Sequence, residues 1–195
     1  MMAEIIYHIG IDPGKKYACA IMRTMRNSKT TITLTDTLEN TTNALRGVLS
    51  TIKDLSCINA WIEDVGAMAY AKTDKHTGKK TFHSQKGKSN FGFGFDTGFV
   101  HGMFAAYDIQ LNKVSPRTWL KEFKIPSRSK PSDIPYFAIA KDMFPQFKDT
   151  HLKYKTKHHD NAAALLIAEY GRRCRFGRLE GGKVKRIETV YDFMK

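Results

Sequence analysis

The order of apolar and polar positions along this chain reads as short strands followed by helices. Ile5 to Ile11 is apolar and rich in β-branched residues, the pattern of a buried strand. Tyr17 to Arg23 repeats the pattern, and the short link from Asp12 to Lys16 predicts that the two run antiparallel. Thr30 to Leu38 alternates through Ile32 and Leu34 and predicts a third, half-exposed strand. Thr41 to Leu55 carries Leu45, Val48, Leu49 and Ile52 at helical spacing, with Thr41 or Thr42 as its cap. Ile58 to Val65 predicts a fourth strand. Phe93 to Asp108 reads as a helix despite its glycines. There Gly98 and Gly102, four apart, suit close packing against a strand or a second helix. Ile109 to Pro116 predicts a fifth strand stopped by its proline. Ser132 to Pro145 opens on a cap and an early proline, and Asp160 to Arg173 closes the helical set. The order β-β-β-α-β-α-β-α-α predicts an α/β fold, a mixed sheet with helices packed against it.

Two stretches do not fit this scheme. Tyr70 to Asn90 is polar and has too few apolar residues to pack, so residues 70–90 are expected to form a basic, mobile loop. The tail, 177–195, is basic and then mixed, and its pattern assigns no element. A length of 195 residues suits one globular domain with a real hydrophobic core, expected to span 1–195.

Charge changes the picture more than composition does. Lysine and arginine number 32 against 19 aspartates and glutamates, a formal net charge of +13. Such an excess, unevenly placed, fits a polyanionic partner, most simply nucleic acid. The three cysteines, Cys19, Cys57 and Cys174, are widely spaced, which argues against a zinc site or a disulfide framework. No signal-peptide pattern and no apolar run of membrane length is present, so a soluble protein of a reducing compartment is expected, with no membrane partner.

Against that basic background, three acids stand where elements end. Asp12 ends the first strand, Glu63 ends the fourth, and Asp160 opens the last helix. If the first and fourth strands are neighbours, their ends bring Asp12 and Glu63 together. Clustered carboxylates repel one another, and a divalent cation reverses that cost. Magnesium takes a few carboxylates plus waters and phosphate oxygens. Each acid also has an ordinary reading. Asp12-Pro13-Gly14-Lys15 is a good β-turn, Asp160 is a good helix cap, and Asp64 rather than Glu63 could be the ligand. His158 and His159 serve equally as ligands, as phosphate contacts or as solvated residues at a helix start.

The segments that carry these acids resemble a known family. "IGIDPG" (Ile9 to Gly14) is similar to the first-strand motif of the RuvC-type Holliday junction resolvases, phage-type members included, of the ribonuclease H-like superfamily. "IEDV" (Ile62 to Val65) resembles their acid-bearing fourth strand. "KVSPRTWLKEF" (Lys113 to Phe123) resembles their strand-proline segment, and "HDNAAALLIAEYGRR" (His159 to Arg173) their closing helix. The first motif is shared with sugar-kinase and actin-like folds, which need two such domains. The resemblance implies a five-stranded mixed sheet in the order 3-2-1-4-5 flanked by helices. It further implies a homodimer that nicks four-way DNA junctions in pairs with Mg2+ or Mn2+, in the cytoplasm of a bacterial or phage-infected cell. Carried over residue by residue, Asp12, Glu63 and Asp160 become catalytic metal ligands. The chain departs from the family at one position, where Ala163 stands in place of a fourth acid.

The basic residues divide into two groups of expected DNA contacts. Lys72, Lys75, Lys79, Lys80, Lys86 and Lys88, with Phe82, follow the strand that bears Glu63 and can track phosphates. Phe82 or Tyr70 could wedge or stack at an open junction. Lys113, Arg117 and Lys121 surround Pro116 and could hold the backbone near the metals. Arg172, Arg173 and Arg175 could do the same or cap the last helix against its dipole. Phe93, Phe95, Phe99 and Phe104 read as core or dimer interface. Two further functions remain open from the sequence: an RNA-processing ribonuclease of the same fold, and a junction-binding protein without catalysis.

Overall fold

The computed structural model describes residues 5–13, 17–25, 30–52, 54–65, 69–73, 77, 80–84, 87–125, 135–176, 179–180 and 183–184. β-Branched and apolar side chains form strands β1 (Ile5–Asp12), β2 (Ala18–Met25), β3 (Thr31–Thr35) and β4 (Ile58–Glu63). Helix α1 (Leu38–Thr51) lies between β3 and β4. A hairpin, β5 (Ala69–Thr73) and β6 (Lys80–Ser84), precedes α2 (Gly87–Ala106). β7 (Leu111–Val114), α3 (Pro116–Glu122), α4 (Pro135–Met143) and α5 (Lys155–Phe176) follow, and a short ladder pairs β8 (Leu179–Glu180) with β9 (Lys183–Val184).

The main sheet has five strands in the order β3-β2-β1-β4-β7. β1 pairs antiparallel with β2, and β2 with β3, while β4 runs parallel to both β1 and β7. This is the five-stranded mixed sheet, in the order 3-2-1-4-5, that the resemblance implies, with β7 as its fifth strand. Alternation sends side chains to two cores, one on each face. Ile9, Ile11, Cys19, Ile21, Ala60 and Ile62 pack with Leu45 and Leu49 of α1 and Val100 and Phe104 of α2. Ala18, Ala20, Met22 and Val114 pack on the other face with α3, α4 and α5. A β-carbon on Gly10 would run into the backbone of α5 at Ala164 O and Ala168 N. Gly10 therefore lets α5 lie directly across β1.

Several boundaries differ from the sequence reading. The stretch read as a loop over 70–90 contains an antiparallel hairpin, with Tyr70 opposite His83 and Lys72 opposite Thr81, and α2 begins within it at Gly87. Alternation is too weak there to signal strands, since Ala69 to Thr73 and Lys80 to Ser84 carry few apolar residues, and the hairpin is defined by its backbone pairing. β3 stops at Thr35 and Leu38 already belongs to α1, which is capped by Thr37 accepting from Asn40 N at 3.1 Å. Thr41 is buried instead and donates to Tyr17 O at 3.2 Å. Gly98 and Gly102 do not mediate close packing; a β-carbon on either would meet nothing. Pro116 ends β7 and also starts α3, with Ser115 as its cap. The last helix begins at Lys155 rather than Asp160, with a kink at His158 (φ −120°, ψ 19°).

Candidate metal centre

Parallel pairing sets the position of two acids. β1 and β4 are in register up to Ile11 opposite Ile62, so the next residues, Asp12 and Glu63, end neighbouring strands side by side. Both belong to the sheet face covered by α5, as do Gly10 and Trp61. α5 runs back along β1: Ala164 and Ala168 lie over Gly10, and Gly171 O accepts from Asn59 Nδ2 at 2.6 Å farther toward the strand starts. Asp160, one turn before Ala164, therefore lies toward the strand ends where Asp12 and Glu63 stand. The three acids predicted from sequence are thus brought to one end of one face.

Their surroundings are dry. Asp12 and Asp160 are buried, and Glu63 is half-buried. Burial raises the Glu63 carboxyl above its ordinary value, the Trp119 hydrogen bond opposes that rise, and the charge of Asp160 adds to it. Tyr136 of α4 feels the whole group. Its phenol is pushed well up by burial and then by the charges of Asp12, Asp160 and Glu63. His159 Nε2 lies 2.8 Å from Asp160 Oδ1. His158 sits at the kink, and its Nδ1 accepts from Tyr154 N at 3.2 Å. Asp64 is exposed beyond the end of β4, and its backbone N–H donates to Val114 O at 2.8 Å.

The donor set is all hard oxygen, which suits Mg2+ or Mn2+. Among the described residues, no three His, Cys, Asp or Glu side chains close on a common ligand position. The acids converge without forming a finished cage, and one oxygen of Glu63 is taken by Trp119 Nε1 at 2.8 Å. Ala163, where a fourth acid was expected, is 3% exposed and belongs to the apolar core beneath α5.

Of the expected DNA contacts, those on α3 follow directly from the strand that pairs with β4 beside Glu63. Arg117 and Lys121 are exposed and four apart on α3, hence on one face. Lys113 is exposed on β7, on the opposite sheet face from the acids, and its charge acts on His101 of α2. Lys72 lies on β5, Lys80 and Phe82 on β6, and Lys88 in the first turn of α2. Lys75, Lys79 and Lys86 lie outside the described residues. Arg172 and Arg173 are held by Glu169, at 2.6 and 2.9 Å, and Arg175 donates to Ser56 O at 3.2 Å. The Glu169 contacts lie within α5, whereas Arg173, through Glu122 of α3 at 3.3 Å, and Arg175, through Ser56, tie α5 to its surroundings.

Sequence reasoning missed Trp119 and Tyr136, whose rings meet edge to face at 5.6 Å beside the acids. The signal for Trp119 was present: a serine cap, a proline at the first helical position, then an indole three residues on. Tyr136 carried no such signal, since its place depends on how α4 packs. No helix among the described residues is long and apolar enough to cross a membrane. Compared with protein-family models and with curated proteins, the chain matches none.

Proposed function

We propose that this chain is a metal-dependent, structure-selective endonuclease that resolves four-way and related branched DNA by paired nicks, in the manner of the RuvC-type resolvases its motifs resemble. The observation that carries the reading is the convergence of Asp12, Glu63 and Asp160 at one end of the sheet, all three acting on Tyr136. Like charges in a dry site are costly, and a divalent cation relieves that cost. Asp12, Glu63 and Asp160 would hold the ion. Bound there, Mg2+ or Mn2+ supplies polarisation of a phosphodiester and a water of lowered pKa. Arg117 and Lys121 would engage the DNA backbone beside the acids, and the lysines of the β5–β6 region would extend that contact along an arm.

A second copy of the chain belongs to this reading, since paired nicks need two sites. Helix α2 offers a face for it. Phe91, Phe95 and Phe99 are 77%, 62% and 44% exposed at four-residue spacing. From Ser89 to Tyr107 the sequence carries one acid, Asp96, and neither lysine nor arginine. An apolar face without cations suits a copy of the same protein better than a phosphate backbone.

The test is incubation of the protein with labelled four-way junction, flap, duplex and RNA–DNA hybrid, with and without Mg2+ or Mn2+. Metal-dependent paired nicks in the junction support the proposal. Asp12→Asn should abolish nicking and keep junction binding, because the amide preserves shape and loses the charge that recruits metal. Cleavage of the hybrid alone would assign an RNA-processing ribonuclease. Junction binding with no cleavage under any metal would assign a non-catalytic junction binder.

A further inference from the structure

Trp119 has an unusual position for a core tryptophan. It is 2% exposed, on a helix of seven residues, and its ring packs edge-on against Tyr136 at 5.6 Å. Its one polar atom, Nε1, needs an acceptor once buried. The acceptor is Glu63 Oε1 at 2.8 Å, a carboxylate of the candidate centre, rather than a backbone carbonyl.

The helix that holds this indole is fixed at both ends. At its start Ser115 Oγ accepts from Thr118 N at 3.2 Å and pairs with Thr118 Oγ1 at 2.8 Å. At its end Glu122 meets Arg173 of α5 at 3.3 Å, and the Arg173 guanidinium lies 4.6 Å from the Phe123 ring. Arg173 is itself held by Glu169 at 2.9 Å, and Glu169 is 6% exposed. α5 is also the helix that carries Asp160. The indole N–H is therefore braced against two of the elements that supply acids: β4 through Glu63, and α5 through Arg173.

We propose that Trp119 is a positioning residue for the metal centre. Its N–H holds one oxygen of Glu63 and so sets the carboxylate's orientation, leaving the other oxygen for the cation shared with Asp12 and Asp160. The proposal rests on the reading of those acids as metal ligands. A hydrogen bond to a charged acceptor is stronger than one between neutral groups, and a partner behind a ligating carboxylate fixes its geometry before the ion arrives. Phenylalanine would keep an aromatic ring at this buried position but is smaller than indole, so it removes the donor and some packing. Benzothienylalanine, which keeps the indole shape, isolates the loss of the donor that leaves Glu63 free to rotate.

The experiment measures Mn2+ binding by calorimetry without DNA, for the full chain and for Trp119→Phe, Glu63→Gln and the double variant. Circular dichroism and thermal melting confirm that each is folded. Trp119→Phe is expected to bind Mn2+ about 10- to 100-fold more weakly, the usual effect of removing a group that orients a ligand. In the Glu63→Gln background the same change should have no further effect, because Trp119 acts through Glu63. Should Trp119→Phe fail to fold, benzothienylalanine placed at position 119 retains the shape of the indole without its N–H and replaces it. A folded variant that binds Mn2+ as tightly as the parent overturns the role of Trp119, as does full additivity with Glu63→Gln. The outcomes separate the two levels of the argument. If Glu63→Gln weakens binding and Trp119→Phe does not, only the positioning role fails. If Glu63→Gln also binds as the parent does, the metal-site reading fails with it.

Discussion

Gly10→Ala adds a single methyl group, and the structure makes that methyl consequential. In an ordinary strand the change would help, since glycine there costs roughly 0.5–1 kcal/mol relative to alanine. At position 10 the new β-carbon would stand 2.8 Å from Ala168 Cα, and nearer still to Ala168 N and Ala164 O. Carbon atoms rest at about 3.5–4.0 Å, so α5 must back away from β1 by about 1 Å. The obstacle is helix backbone, which cannot turn aside as a side chain can. Overpacking of this kind costs about 1–3 kcal/mol, and for a chain of this size each kcal/mol lowers Tm by about 2–4 °C. The same displacement moves Asp160 relative to Asp12 and Glu63. A shift of about 1 Å at a reacting centre lowers rate by about 100-fold. The assay is paired: thermal melting, and Mn2+-dependent nicking of a four-way junction. Gly47→Ala in α1 is the control, because a β-carbon there meets nothing and the helix gains propensity. Expected are a lower Tm and a collapsed nicking rate for Gly10→Ala, with unchanged nicking and an equal or higher Tm for Gly47→Ala. A Gly10→Ala protein that melts and cuts like the parent would refute the claim that α5 is seated on Gly10.

Three other changes probe separate parts of the molecule. His8 is fully buried on β1, its Nε2 has no hydrogen-bond partner among the described residues, and burial with nearby Arg172 and Arg175 lowers its pKa to about 3. The folded state thus binds the proton less readily than the unfolded chain. The stability linked to neutral His8 is full above pH 6.5 and is lost as pH falls from there toward 3, the loss reaching about 3 kcal/mol near pH 4.5. Urea unfolding at both ends of that window should show a flatter pH dependence for His8→Gln, and parallel profiles would exclude the assignment. Ala163→Asp puts a carboxyl into an apolar core position and should cost about 1–3 kcal/mol without metal. Mn2+ should restore its melting temperature and raise nicking; a deficit that Mn2+ leaves untouched would place residue 163 outside the centre. Glutamine at Lys72, Lys75, Lys79, Lys80, Lys86 and Lys88 should weaken junction binding and flatten its salt dependence, by about 0.9 in log–log slope for each phosphate no longer neutralised. An unaltered slope would remove this region from the DNA interface.

Much of the fold was legible because its signals are local. A run such as Ile5 to Ile11 declares a buried strand wherever it occurs, and a link of a few residues admits only an antiparallel neighbour. The acids were legible for the same reason: Asp12, Glu63 and Asp160 each stand at a visible change of pattern. Their meeting was not. It depends on β1 and β4 lying side by side in register and on α5 crossing at Gly10, and both are contacts between residues far apart in sequence. The hairpin over Ala69 to Ser84 escaped because no apolar alternation marks it. Trp119 and Tyr136 were not singled out from the sequence, and only packing turned one indole N–H toward Glu63. Local spacing sets which elements form and which residues end them. Register and helix seating, which sum many weak contacts over the whole chain, decide which of those ends share a site.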